Sequence, residues 1–452
     1  MTFINTIMKN VIFQLIILIC LSILITFYQF NQVPKNLSFD EVEFAKLAIS
    51  LDKQPYIPYN TLATGHPTLY FYILLTSFKI FGINNFALRF PSALFGILNV
   101  IIIYLIFHII FKTKSNFKNN VIASPRLSGG SYNPELSSRD NPINIGCPIG
   151  NGIATLTRLS GFARDDKAFI LAFIFLSLRW YFNFSRFAFE ATFLLFLELC
   201  SLFFLLKQKP NLIISGLFAG LAFNSYTPGR IFFLVPLLYL FITKNKSKIL
   251  PFLISFIILT IPLSFYLIRN PDIRVKQQSY LANNNLSLTN KINFLGQNIA
   301  KTALMFNVRG DINGRHNYPL KPALNPMIGL LFLAGIIIAI CQRQNKINQL
   351  FLIYFIISLI PTLLTYPHEN PHMLRTFTAI PSVVYFVGLG LSWSIKFVSN
   401  RFKKNSIYIV FTLLILSAVY EARTYFYYQN QVFKQAFEIK KDISQVIGRQ
   451  SL

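Results

Sequence analysis

The sequence predicts an all-α polytopic membrane protein with about eleven transmembrane helices, within a range of roughly ten to thirteen. Three observations carry that fold class. Hydrophobic residues make up 54% of the chain, and its mean hydropathy is +0.51. Apolar runs close to the ~20 residues that cross a bilayer recur from end to end. Lys and Arg gather in the short polar loops between those runs, which is where membrane orientation places them.

The runs lie near 11–30, 86–111, 167–184, 190–206, 211–226, 230–243, 249–268, 327–341, 347–365, 376–397 and 406–420. The first is too long for a secretory signal and lacks a small-residue cleavage site, so it is expected to remain as a span. With the N-terminus inside, KTK (112–114), KQKP (207–210), KNKSK (244–248), RQNK (343–346) and NRFKKN (400–405) all fall in the cytoplasm. Of the 16 Asp and Glu residues, four lie in 115–166, Glu198 sits mid-span and eleven fall outside or at the outer membrane edge. The polar clusters therefore face a compartment without ATP or nucleotide sugars. A net charge of +26 would suit nucleic acid, but its placement in orienting loops argues for a lipid bilayer as partner and no nucleic acid. Cys20, Cys147, Cys200 and Cys341 have neither zinc-site nor disulfide-framework spacing.

The expected organisation has four parts. Residues 1–114 hold the first span, an outer loop with interfacial helices and the second span. Residues 115–166 are a flexible polar cytoplasmic insertion rich in Ser, Asn, Gly and Pro. A transmembrane bundle follows over 167–420 with an outer loop at 269–326, and 421–452 form a short outer tail. In the first loop Phe44, Leu47, Ala48 and Leu51 recur at helical spacing, a stripe suited to the membrane interface. The run HPTLYFYILLTSFKIFG (66–82) is placed in the interface or as a re-entrant piece, because a full span there would leave Lys112 and Lys114 outside. GLFAG (216–220) has small residues at i and i+4, the pattern of close helix packing.

SFDEVEFAKLAISL (38–51) puts Asp40, Glu41 and Glu43 just beyond the first span. Ser38 and Glu41 have capping-box spacing, which alone would explain Glu41. Other polar segments gather on the same side: SRFAFE (185–190), NSYTPGR (224–230), FNVRGDINGRHNYPLKP (306–322) and HENPHMLR (368–375). Arg89, Arg186, Arg230, Arg315 and Arg375 run against the orientation rule, and an anionic ligand would explain them.

FDE at the head of the first outer loop, GHPTLYFYILLTSFKIFG followed by ALRFPSALFG, and then SRFAFE resemble the GT-C class of membrane glycosyltransferases. The likeness is to bacterial relatives of the dolichyl-phosphate-mannose protein mannosyltransferases and of the lipid A aminoarabinose transferase. It implies a polyprenyl-phosphate-linked sugar donor, a protein, lipid or glycan acceptor, and a catalytic aspartate in the first outer loop, here Asp40. The insertion and the short tail depart from the family pattern.

The residues suit that chemistry. One general base is enough when an acceptor hydroxyl displaces a phosphate, in contrast to the carboxyl pair of a glycosidase. Asp40 is the expected base, with Glu41 as the second catalytic candidate, orienting it or the acceptor, or simply capping its helix. Arg89, Arg230 and Arg375 would meet the charge growing on the phosphate, with His66 as a further donor. Arg186 and Glu190 either contact substrate or pair with each other. Tyr226, Arg315, His316 and His372 complete the expected substrate-binding set. His368 and His372 have metal-like spacing, but Pro371 interrupts any helix between them, so a loop role is expected and no metal ligand is assigned. The chemistry requires no organic cofactor and leaves room for a divalent cation. Glu198 is expected to make a buried hydrogen bond. The overall expectation is an inverting glycosyltransferase of the cytoplasmic membrane, multi-pass, with its site on the extracytoplasmic side. The alternative is a polytopic transporter or flippase for a lipid-linked or anionic substrate, which would be expected to show internal repeats.

Overall fold

The structure is a computed structural model that describes residues 11–122, 164–402 and 406–448. Most of the 115–166 insertion lies outside the described residues. Apolar helices stand where the sequence places spans, from Val11–Phe27 and Asn85–Ile122 through Ile249–Arg269 and Lys346–Leu363 to Ile380–Phe402 and Ser406–Arg423. Five stretches among the described residues are long and apolar enough to cross a membrane: Asn85–Phe111, Ile249–Arg269, Lys346–Leu363, Phe377–Ile395 and Ile409–Ala436. Shorter apolar helices, among them Val11–Phe27, Ala191–Leu206 and Pro326–Cys341, fill out the bundle.

Packing follows small residues. Helix Leu212–Phe223 lies along Ile249–Arg269, and a Cβ added at Gly216 would stand 2.3 Å from the Phe252 carbonyl oxygen. Gly220 repeats the approach one turn on, 3.0 Å from the Phe256 carbonyl oxygen. The two glycines let one backbone rest on the other, so GLFAG packs as expected.

The helix expected in the first outer loop forms at Phe39–Ser50. Its stripe Phe44, Leu47, Ala48 and Leu51 is buried within the protein, and the helix packs on Leu69–Phe81. An exposed apolar stripe occurs instead on Leu288–Met305 in the 269–326 loop, where Leu288, Ile292, Leu295 and Ile299 are exposed on one side. Sequence reading passed over this helix because Asn, Lys and Gln between those residues lower its average hydropathy.

The C-terminal segment folds back on the loop that precedes helix Phe39–Ser50. Leu37 and Ile439 pair through N–H to carbonyl bonds of 2.9 and 3.0 Å. Asn85 donates to Asp442 at 2.6 Å and accepts the Ile443 N–H at 3.0 Å. The tail thereby braces the first outer loop.

Candidate active site

Two neighbouring acids on Phe39–Ser50 meet different surroundings. The capping box forms: Ser38 Oγ accepts the Glu41 N–H at 3.2 Å, and Glu41 accepts the Ser38 N–H at 3.0 Å. The same carboxylate takes a bidentate contact from Arg89, with Nε at 2.8 Å and Nη2 at 3.1 Å, and the Ala188 N–H at 3.2 Å. Arg89 also donates to the carbonyls of Pro34 and Asn36 at 2.6 and 2.7 Å. Both side chains are fully buried. The capping role that the sequence offers for Glu41 is present, and Arg89 directs its donors to Glu41 and two loop carbonyls. Their pair locks the first loop, the second span and the SRFAFE segment together.

Asp40, one residue earlier on the helix, points outward with its side chain 43% exposed. Arg315 Nη1 holds its Oδ2 at 2.7 Å, and Oδ1 has no hydrogen-bond partner among the described residues. Arg315 is set by its loop: Asn183 Nδ2 donates to the carbonyls of Arg315 and His316 at 3.1 and 3.2 Å.

Arg186 is also internal. It donates to the carbonyls of Ile25 and Thr26 at 2.6 Å each, of Tyr28 at 2.7 Å and of Val33 at 3.0 Å. These include carbonyls that the last turn of Val11–Phe27 leaves unpaired, so a cation there is both capped and useful. The expected ligand contact and the expected pairing with Glu190 are both replaced by this helix-end role.

Arg230, Arg274 and Arg375 line a cavity of about 250 Å³ whose other walls include Tyr226, Ile360, Pro361 and Leu364. Asp272 organises one side. It caps the short helix Ile273–Gln278 by accepting the Val275 N–H at 3.0 Å, which brings Arg274 and Gln278, four residues apart, to the cavity. Asp272 also takes Arg230 Nη1 at 2.5 Å and the Tyr59 hydroxyl at 3.1 Å. Burial raises the Asp272 carboxyl, but Arg230 and these donors outweigh it and leave it below the usual carboxylate value. Arg375 is held through Nη2 by Glu369 at 2.5 Å and Gln278 at 3.2 Å. Arg230 Nε and Nη2 and Arg375 Nη1 are buried without partners, as is Thr227 Oγ1 in the same wall. Unpaired buried donors are costly to leave unmade, so this cavity is built to accept an anion.

His66 links the cavity to Glu190. Its Nδ1 lies 2.6 Å from Glu190 Oε1, and its Nε2 lies 2.6 Å from Arg274 Nη1 and 2.9 Å from the Ala63 carbonyl. Arg274 Nη1 also lies 2.9 Å from Nδ1; Glu190 and the Ala63 carbonyl can only accept and Arg274 can only donate, so the ring sits between acceptors and a cation that compete for its two nitrogens. Burial pulls the ring below its ordinary 6.5; Glu190 opposes the shift and Arg274 adds to it. The unfolded chain thus protonates this ring more readily than the folded one, and stability falls as pH drops through 6.5 toward the folded value. Thermal unfolding is expected to show a lower midpoint at about pH 5.5 than at about pH 7.5. His66→Gln should shrink that difference, and an unchanged difference would remove His66 as its source.

A run of contacts joins the arginine cavity to the exposed aspartate: Asp40 to Arg315, whose neighbour His316 meets His372, and His372 Nδ1 to the Arg375 N–H. His316 and His372 come together, with ring centroids 4.8 Å apart. The His368 side chain is 77% exposed and turns away from that pair. Burial is the main reason His372 titrates well below the ordinary imidazole range, reinforced by Arg375, His316 and Arg274. Glu198 accepts the Tyr354 hydroxyl at 2.6 Å, the buried bond expected of it. Sequence reading missed Arg274, Gln278 and Asp272, which lie in no recognisable motif; Asp272 just ahead of a short polar helix was the available signal.

Residues 65–123 match the dolichyl-phosphate-mannose-protein mannosyltransferase family. The crystal structure of ArnT from Cupriavidus metallidurans bound to undecaprenyl phosphate is similar over 96% of this chain and 77% of that one, with a TM-score of 0.50 and 12% identity. The archaeal oligosaccharyltransferase AglB from Archaeoglobus fulgidus, in complex with an inhibitory peptide and a dolichol-phosphate, has a TM-score of 0.48 and 15% identity, over 95% of this chain and 56% of that one. A comparison with curated proteins finds no significant match. This polytopic chain therefore has a fold similar to that of the ArnT structure over most of its length, and its 65–123 segment, which holds His66 and Arg89, is similar to the mannosyltransferase family.

Proposed function

We propose that this chain transfers a sugar from a polyprenyl-phosphate donor to an acceptor hydroxyl at the outer face of the cytoplasmic membrane, by a single inverting displacement. The observation that carries this reading is the apolar-walled cavity with unpaired arginine donors beside the exposed carboxylate of Asp40. A lipid-anchored phosphate needs that combination of greasy wall and cationic head site.

In this reading the acceptor oxygen attacks the anomeric carbon while the bond from that carbon to the phosphate oxygen breaks. Asp40 takes the hydroxyl proton through its free oxygen, with Arg315 fixing the other. The departing phosphate gains one negative charge, which Arg230, Arg274 and Arg375 stabilise more strongly in the transition state than in the ground state. His66 and Glu190 position Arg274. Arg89, Glu41 and Arg186 hold the scaffold.

The outward orientation has its own test. Single cysteines at Gln54 and Asn284, both exposed, are expected to react with an impermeant maleimide in intact cells, and one at Ser247 is not. Labelling of Ser247 alone would reverse the orientation. Transfer itself is tested with radiolabelled polyprenyl-phosphate sugars on the purified protein in bilayers, where label should move from the lipid to an acceptor.

A further inference from the structure

Asp311, His316 and His372 come from two separate outer loops, yet one ligand atom from each lies within 4.8 Å of the others. Asp311 is 2% and His316 3% exposed, so the cluster sits inside the protein and not on a solvated face. Its carboxylate is fixed before any ligand arrives: Oδ1 accepts the Asn313 N–H at 2.8 Å, and Oδ2 accepts the Met373 N–H at 2.9 Å and His316 Nδ1 at 3.0 Å. Neither imidazole Nε2 has a hydrogen-bond partner among the described residues, and His372 Nδ1 takes only a 3.3 Å contact from the Arg375 N–H. The backbone is tied down as well. Asn317 Nδ2 donates to the carbonyls of Asp311 and Lys321, and its Oδ1 accepts Arg179 Nη1 at 2.6 Å.

We propose that these three side chains bind one divalent transition-metal ion of the imidazole-preferring class, Zn²⁺ or a close substitute. Two imidazoles and one carboxylate are a donor set that such ions favour and that Mg²⁺ and Ca²⁺ do not. Bonds of about 2.0–2.1 Å set tetrahedral donors about 3.3 Å apart. The Asp311 to His316 separation is already close to that, and the His372 ring must approach by about an ångström or more. The ion takes the place of the proton on His316 Nδ1 that now bonds Asp311 Oδ2, and the neutral ring changes tautomer to carry its N–H on Nε2. The Asn313 and Met373 N–H groups then serve as the outer-shell partners that orient a metal-bound carboxylate. Of the arginines that bear on the cluster, Arg315 is neutralised by Asp40 and Arg375 by Glu369, and the charge of Arg274 is opposed by the Asp311 carboxylate that would hold the ion.

The ion is a clasp. His316 follows Arg315 directly, and His372 stands three residues before Arg375. Joining the two histidines fixes the distance between the arginine that holds Asp40 and the arginine that enters the cavity. The binding claim is independent of the transferase reading, since its readout is metal content.

The full chain, purified in nanodiscs with a tag that contains no histidine, is stripped with a chelator, exposed to Zn²⁺, Co²⁺ or Mg²⁺, and passed through gel filtration. Elemental analysis is expected to find one Zn²⁺ or Co²⁺ per chain and no Mg²⁺. His316→Ala and His372→Ala should each lower that content at least tenfold, while His368→Ala leaves it unchanged. Should an alanine variant elute as an aggregate, the Co²⁺-loaded wild type still decides the matter: ligand-field absorption bands of low-symmetry Co²⁺ are expected, with Zn²⁺ displacing them. Metal content at background, equal content in the histidine variants, or Co²⁺ spectra of the free aqua ion would each overturn the proposal.

Discussion

Asp40→Asn is expected to lower turnover by about a hundredfold or more, the usual scale for losing a general base, while donor binding persists. The substitution keeps the size of the side chain and leaves an amide oxygen for Arg315, which now holds Oδ2 at 2.7 Å. It cannot disturb the helix start, because Ser38 and Glu41 close the capping box without it. Glu41→Gln is expected to behave differently. The Glu41 carboxylate accepts Arg89, Ser38 and Ala188 in a fully buried setting, so its loss leaves Arg89 buried without a counter-charge, a cost of about 3–5 kcal/mol. The two neighbours therefore separate cleanly, one by turnover at normal melting temperature and the other by melting temperature and yield. Near-normal turnover in well-folded Asp40→Asn protein would return Asp40 to a surface ion pair with Arg315.

Arg375→Ala is expected to weaken donor binding by about ten- to a hundredfold, equivalent to one charge-assisted hydrogen bond of about 1.5–3 kcal/mol. Nη1 of Arg375 is buried and unpaired in the cavity wall, so a phosphate gains that bond without displacing an internal partner. Lysine should restore only part of the affinity, since it lacks the fork that lets Nη2 keep Glu369 and Gln278 while Nη1 serves the ligand. Titration of the reconstituted variant with polyprenyl phosphate checks this. Arg89→Ala is the contrast: its guanidinium is spent on Glu41 and two loop carbonyls, so it should lower stability and leave the affinity of the surviving folded protein unchanged.

Local patterns were legible in the sequence because their causes are local. Apolar runs of bilayer length became helices, Ser38 and Glu41 became a capping box, and Gly216 and Gly220 became a close helix contact. The five arginines that run against the orientation rule show the limit. Sequence alone marks each as needing a counter-charge, but it does not say whether that partner is a ligand, a carboxylate 48 positions away as for Arg89, or a helix end as for Arg186. Only long-range packing decides. The histidines make the same point, since the regular spacing of His368 and His372 is broken by the loop and His372 instead meets His316. Arg274 reaches the cavity through a six-residue helix whose start depends on a single Asp272 cap, too small a signal to read from composition.

If a carbon–oxygen bond to a lipid-linked phosphate is broken here, a donor labelled in its sugar reports it directly. Wild-type protein and Asp40→Asn are reconstituted in vesicles with a panel of polyprenyl-phosphate sugars and with membrane and protein acceptors. The account predicts that label leaves the lipid donor and appears on an acceptor with wild type, and that this transfer largely disappears with Asp40→Asn. Movement of intact labelled donor from one leaflet to the other, equal in both proteins and with the sugar still attached to its lipid, would contradict it and identify a transporter.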